Sequence, residues 1–318
     1  VSPLLLCGRN VEGLSTFEVA ENDMQTDTAK VEIQPNHVED EKPWKEFMRA
    51  FIRHRSALIG SIIILLLILI AILAPVLTSY EYSARSDDLN QAPSAEHWFG
   101  TDEMGRDVFT RVIYGARISL WVGFFAVTGS IVFGSFLGLI AGFYGGWRDT
   151  IISRFFDILL AFPGILLAIA IVTILGPGLN NALIAIAIIN IPTFGRLMRS
   201  SVLRVKEEDF ILAARAIGMK NSRILFHHIL PNCWTPIMVQ GTLSFATAVI
   251  EAAALGFLGL GAQPPEPEWG TMLSDSRPFI QTAPWTMIFP GLAIMLTVLG
   301  FNLLGDGLRD IFDPRMKQ

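Results

Sequence analysis

The sequence predicts an all-α membrane protein with six transmembrane helices and a charged two-helix loop between the fourth and fifth. Three observations predict it. The 318 residues are 52% hydrophobic and only 17% charged, with a mean hydropathy of +0.48, where soluble domains carry nearer a quarter charge. Uncharged stretches long enough to cross a ~30 Å hydrocarbon core recur along the chain. Between two of them stands a charged island at 207–231, EEDFILAARAIGMKNSRILFHHILP.

The first 41 residues are polar and acidic with little apolar periodicity, and read as a disordered tail. The opening VSPLLLC is short and has no basic flank, so it makes a poor secretory signal. Translation is expected to start at Val1 or later, for example at Met24, and residues 1–23 carry no functional expectation. Residues 43–55 place Trp44, Phe47, Met48, Phe51 and Ile52 at helical spacing, with Lys42, Lys45, Arg49 and Arg53 largely opposite. Such a basic amphipathic helix suits the headgroup layer.

No charge occurs between Arg55 and Glu81, and the first span is placed at 57–78. An outer segment, 80–115, precedes the second span at 116–143. There Gly134, Gly138 and Gly142 recur every four residues, so one face is small enough for close helix packing. The uncharged stretch between Asp157 and Arg196 holds two spans, 152–175 and 182–199, divided by the turn GPGLNN. Pro163 and Pro192 are expected to kink them. The fifth span is placed at 233–257 and the sixth at 285–304, with a tail over 305–318.

Basic residues set the orientation. They gather before the first span (Lys42, Lys45, Arg49, Arg53, Arg55), in the island and its approaches (Arg196, Arg199, Arg204, Lys206, Arg215, Lys220, Arg223) and in the tail (Arg309, Arg315, Lys317). An even number of spans puts all three on one side, read as cytosolic, with both termini there. Arg106, Arg111 and Arg117 run against the trend.

Composition also excludes. The net charge of −5 comes without a polybasic block, which gives no reason to expect nucleic acid. Cys7 and Cys233 are far apart and form neither a CxxC nor a zinc spacing. No GxxxxGK[ST] loop occurs, so ATP is not bound by that device.

Within the island, Glu207, Glu208 and Asp209 crowd the start of a helix, where the dipole favours acids. Ala213, Ala214 and Ala216 are strong helix formers that leave a slim surface. Gly218 supplies a left-handed cap. Asn221 or Ser222 can cap a second helix, which Pro231 ends. The pattern resembles the "EAA" coupling loop of ABC importer permeases, which docks on the ATPase subunit. The matching positions are Leu212-Ala213-Ala214, Gly218 and His228-Ile229-Leu230-Pro231. Leu212 stands where the family has Glu, and His228 where it has Ile. The resemblance implies that Glu208, Asp209, Phe210, Leu212, Ala213, Ala214, Ala216 and Gly218 form the docking surface. An ordinary amphipathic helix-turn-helix would share the same local features.

The segment HWFGTDEMGRDVFTRVIYGARISL, from His97 to Leu120, holds turn glycines and charges able to satisfy one another. Asp102, Glu103 and Asp107 invite a metal reading, but a capped and salt-bridged loop explains them without one. By its motifs the segment resembles the C-type permease of dipeptide, oligopeptide and nickel ABC importers. LGFLGLGAQPPEPEWGTMLSD after the fifth span and NLLGDGLRDIFDPR at the end agree, in the right order. The likeness covers the chain from about Trp44 onward and leans to the dipeptide branch.

Glu251 lies well inside the fifth helix. A charge at mid-membrane costs about 2.5–3.5 kcal/mol, so it needs a wet cavity or a partner. It is read with Asn190 as a wall of the translocation path, or as a buried acid bonded between helices or to another subunit. Asp157 is expected to pair with Arg154, and His227 and His228 to lie at the membrane boundary.

The resemblance implies a type I-like importer permease that forms a heterodimer with a B-type subunit. It further implies two cytosolic ATPase subunits, a periplasmic or lipid-anchored substrate-binding protein, and dipeptides or short peptides as cargo. No cofactor is expected on this chain, since ATP and Mg belong to the partner subunits, and no residue here is expected to do covalent chemistry. Nickel chelates, haem and longer peptides remain alternative cargoes. A secondary transporter or channel would favour inverted repeats or a re-entrant filter, and a membrane-bound enzyme would need clustered His or acidic groups.

Overall fold

The computed structural model describes residues 43–312. The tail read at 1–41 and the last residues, 313–318, lie outside that range. Among the described residues, five helices are long and apolar enough to cross a membrane, or six if one bent pair forms a single span.

The helix α1 (Pro43–Arg53) and the helix α2 (Arg55–Leu77) meet at His54. The His54 ring lies 3.0 Å from the Ser56 hydroxyl and accepts from the Ala57 amide. After residues 78–107 comes α3 (Val108–Tyr144), which begins well before the expected 116. The reason is local: the Asp107 carboxylate accepts from the Thr110 amide at 2.7 Å and caps a helix the apolar pattern alone does not mark. Its 37 residues reach about 55 Å, so its first turns stand beyond a hydrocarbon core.

The expected third span is not one helix. It divides into α4 (Gly146–Leu160) and α5 (Gly164–Leu175), bent by 90° at a break that contains Pro163. Proline offers no N–H and disfavours helix at the residue before it. By contrast, Pro192 lies buried within the continuous α6 (Leu179–Val205).

The helices α3 and α6 run side by side in the same direction. Gly134 lies against Ile191 and Phe194, Gly138 against Gly195 and Met198, and Gly142 against Val202. Where Gly195 has no side chain, the Phe156 ring of α4 fills the space, and Phe156 is fully buried. Small residues thus admit close backbone contact, with dispersion as the gain.

The remaining spans are α10 (Trp234–Phe257) and α12 (Trp285–Phe312). The Phe245 and Phe301 rings stack at 3.8 Å between them. The helix α2 packs antiparallel on α12, with Gly60 against Gly300 and Gly307 against Ala57. The expected tail from 305 is helical as far as Phe312. Phe312 stacks on Phe47 at 5.4 Å and Asp310 lies 3.2 Å from His54, so the last turns have partners.

At the end of the bundle where α3 begins, residues 78–107 and the short α11 (Trp269–Asp275) build a cap. The Trp269 indole donates to the Val112 carbonyl at 3.0 Å and the Trp285 indole to the Thr101 carbonyl at 3.1 Å. Phe99 stacks on Phe289 at 3.8 Å. The Arg111 guanidinium donates to the carbonyls of Tyr82 and Pro265. These contacts tie two loop segments and α11 to the starts of α3 and α12.

Candidate functional site

The charged island lies at the other end of the bundle, following α6. Its first helix, α7 (Asp209–Ala216), is entered at Glu208, whose side chain makes no capping hydrogen bond. Ile211 and Ala214 face inward, at 0% and 6% exposed. Ala214 therefore does not belong to the outward surface expected of it, because helical spacing places it beside Ile211. Glu208, Asp209, Phe210, Leu212, Ala213, Ala216 and Gly218 are exposed. With Ile217, at 78% exposed, they form an apolar ledge with an acidic rim.

Gly218 has φ +77°, and the Met219 amide returns to the Ala214 carbonyl at 3.1 Å. Only a residue tolerant of left-handed backbone fits there. Beyond it the chain differs from expectation. Lys220, not Asn221 or Ser222, occupies the N-cap of α8 (Asn221–Arg223). A π-helical segment, Ile224–Ile229, follows, then α9 (Leu230–Asn232). The wide turn brings Ile224 and Ile229, five residues apart, into the core together, and both are fully buried. Pro231 does not end the run. The backbone stays helical from the π segment into α9, with Pro231 inside it. His227 and His228 approach edge to face at 5.6 Å.

The two residues read as path-lining come together. The Asn190 amide of α6 donates to the Glu251 carboxylate of α10 at 2.9 Å. It also donates to the Ile186 carbonyl one turn back, at 3.0 Å. Both residues are partly exposed.

Other charges pair in ways the sequence left unseen. Asp157 lies 3.7 Å from Arg154, as expected, but 2.7 Å from Arg196 of α6. Arg199 donates to both carboxylate oxygens of Asp149, at 2.5 and 2.7 Å, a fork geometry that only arginine offers. Lys206 donates to the Phe143 carbonyl at the end of α3. No local spacing announces these partners, since each comes from a different helix.

In the cap, the carboxylates that invited a metal reading are engaged. Asp102 accepts from Arg106 at 2.6 Å, Glu103 accepts from Arg106 at 3.1 Å, and Asp107 meets the buried His97 ring at 2.9 Å. Burial, then the neighbouring Asp102, pushes the Glu103 carboxyl above its ordinary range. Glu268 is buried at the N-cap of α11 and accepts from the Gly270 and Thr271 amides at 2.8 and 3.0 Å. Burial pushes it up to about 7 against those two bonds.

Residues 134–318, more than half of the chain, match the family model described as "binding-protein-dependent transport system inner membrane component". The chain belongs to that family. Residues 42–93 match the N-terminal transmembrane domain of oligopeptide transport permease C. The dipeptide transport system permease protein DppC of Alkalihalophilus pseudofirmus is 66% identical over 276 residues, 86% of this chain and 91% of that protein. The glutathione transport system permease protein GsiD of Pectobacterium atrosepticum is 50% identical over 277 residues, 86% of this chain and 92% of that protein. In fold, the chain resembles the inward-facing MetNI methionine ABC transporter. The TM-score is 0.54 at 19% identity, covering 64% of this chain and 98% of that one. The protein is thus a multi-pass permease component of an ABC importer. It works with the importer's other components, and ATP hydrolysis belongs to separate subunits.

Proposed function

We propose that this permease component takes up dipeptides across the bacterial inner membrane. Its similarity over most of its length to the dipeptide permease of A. pseudofirmus carries this reading. On this reading the chain pairs with a B-type permease, with two ATPase subunits that hold ATP and Mg, and with a periplasmic or lipid-anchored binding protein. The crowd of Arg and Lys at the α7 end supports a cytosolic side for that end and for both termini.

The exposed ledge of Phe210, Leu212, Ala213, Ala216 and Ile217 docks an ATPase subunit. Closure of the ATPases pushes on this ledge, which is held to the bundle by Ile211, Ala214 and the core of the π segment. The bundles then rock, and the path opens outward. Asn190 and Glu251 line the path, where a carboxylate suits the cargo's ammonium group.

The test is uptake of radiolabelled dialanine by proteoliposomes holding the four-component importer, with and without ATP and the binding protein. ATP- and binding-protein-dependent uptake, competed by dipeptides, is the expected result. A second reading, glutathione as cargo, has the similarity to GsiD in its favour. ATP-dependent uptake of radiolabelled glutathione in the same proteoliposomes, with none of dialanine, selects it. No ATP-dependent accumulation of either cargo rejects both.

A further inference from the structure

Toward the α7 end from the Asn190–Glu251 pair, the structure holds a cavity of about 620 Å³. Leu197 and Arg204 of α6, Asn232 of α9, Gln240 of α10, and Arg309 and Phe312 of α12 are among its walls. A cation near a helix C-terminus is ordinary, because it suits the dipole, and that accounts for each arginine alone. It does not account for two guanidiniums on one cavity. Among the described residues neither pairs with a carboxylate, whereas Arg196 and Arg199 on the same helix both do.

A polar stripe leads from the pair to the cavity. On α10, Gln240, Thr247 and Glu251 share one face of the helix and are at least partly exposed, with Ser244 buried between them and accepting from Gln240 at 3.2 Å. On α6, Asn190, Leu197 and Arg204 recur at seven-residue intervals, with Thr193 and Ser200 exposed beside them. Polar side chains along one face of two apolar helices mark a wetted wall. The wall is acidic at one end and basic at the other.

We infer that this cavity is a second cargo station, in which Arg204 and Arg309 receive the C-terminal carboxylate of the peptide on its way out of the path. The inference rests on the peptide reading above. Asn190 and Arg204 are separated by about 21 Å along α6, while an extended dipeptide spans only about 7 Å. The cargo therefore cannot touch Glu251 and Arg204 together. It meets a carboxylate first, through its ammonium group, and the two guanidiniums afterwards. An arginine pair suits this role because its planar donors match a carboxylate.

The experiment uses the whole importer in nanodiscs, without nucleotide or binding protein, carrying Val239→Cys on the cavity wall. Maleimide labelling of that cysteine is measured against dialanine, dialanine C-terminal amide and phosphatidylglycerol, with the unsubstituted importer as background. Dialanine is expected to slow labelling and the amide to do so poorly. Arg204→Gln or Arg309→Gln should each raise the half-protecting dialanine concentration by about tenfold, the loss of one charge-assisted hydrogen bond. Arg204→Lys, which keeps the charge, should retain part of the protection, and it serves if the neutral variants do not assemble. Equal protection by acid and amide, or protection by phosphatidylglycerol alone, overturns the station. So does no protection in an importer that still accumulates dialanine when ATP and binding protein are supplied. An importer that accumulates no dialanine overturns the peptide reading instead.

Discussion

Gly138 of α3 lies directly against the backbone carbonyl of Gly195 in α6, and both glycines sit where the two helices press closest. A Cβ on Gly138 would also meet the Met198 Cβ at 2.9 Å, and one on Gly195 would meet the Phe156 ring. Close approach here keeps α3, α4 and α6 in one packed unit, on which the island and the polar stripe both hang.

Gly138→Val should therefore destabilise the bundle by about 1–3 kcal/mol, the usual cost of overpacking. Gly129→Ala should be nearly silent, because its Cβ would meet only the Ala187 Cβ, at 3.4 Å. Thermal unfolding of the two variants in the same detergent checks this; equal melting shifts would show that the glycine seam is not tight.

Gly218→Val tests the joint between the two island helices. The added side chain meets nothing within 4 Å, so its cost is backbone alone, about 1–2 kcal/mol for a left-handed residue. Gly218→Asn, which tolerates that backbone, should be milder. The valine variant is expected to insert and to bind ATPase subunits while moving less cargo per ATP hydrolysed. A normal ratio of uptake to hydrolysis would separate Gly218 from coupling.

Asn190→Leu removes the hydrogen bond to Glu251 and leaves the carboxylate facing an apolar neighbour. The loss of a hydrogen bond to a charged group is worth about 1.5–3 kcal/mol. Uptake should fall at least tenfold while the subunits still co-purify. Loss of co-purification with unchanged uptake per assembled complex would make the pair structural only.

Glu268 predicts a pH dependence. Its carboxyl is raised from an ordinary 4.5 to about 7 by burial, so the folded state binds a proton more readily than the unfolded chain. That contribution is fully present below pH 4.5 and is lost as pH rises through about 7. Its size is on the order of 3 kcal/mol. Glu268→Gln, which still offers an oxygen to the α11 amides, should flatten the fall in melting temperature over that window. An unchanged pH profile would place the sensitivity elsewhere.

The sequence by itself determined the class of this protein, its apolar helices, the left-handed cap at Gly218 and the small face at Gly134, Gly138 and Gly142. Each of these is local: an uncharged run, a glycine after a helical stretch, or a four-residue repeat carries its own physical meaning. Tertiary structure decided what distant elements do to one another. It turned Ala214 inward beside Ile211, carried the helix through Pro231, and extended α12 to Phe312 by giving it partners in Phe47 and His54. It also joined Asn190 to Glu251 across 61 residues, and set Arg204 and Arg309 on one cavity. Helical periodicity says which face a side chain occupies but not which helix lies opposite, so pairings of this kind appear only once the bundle is packed.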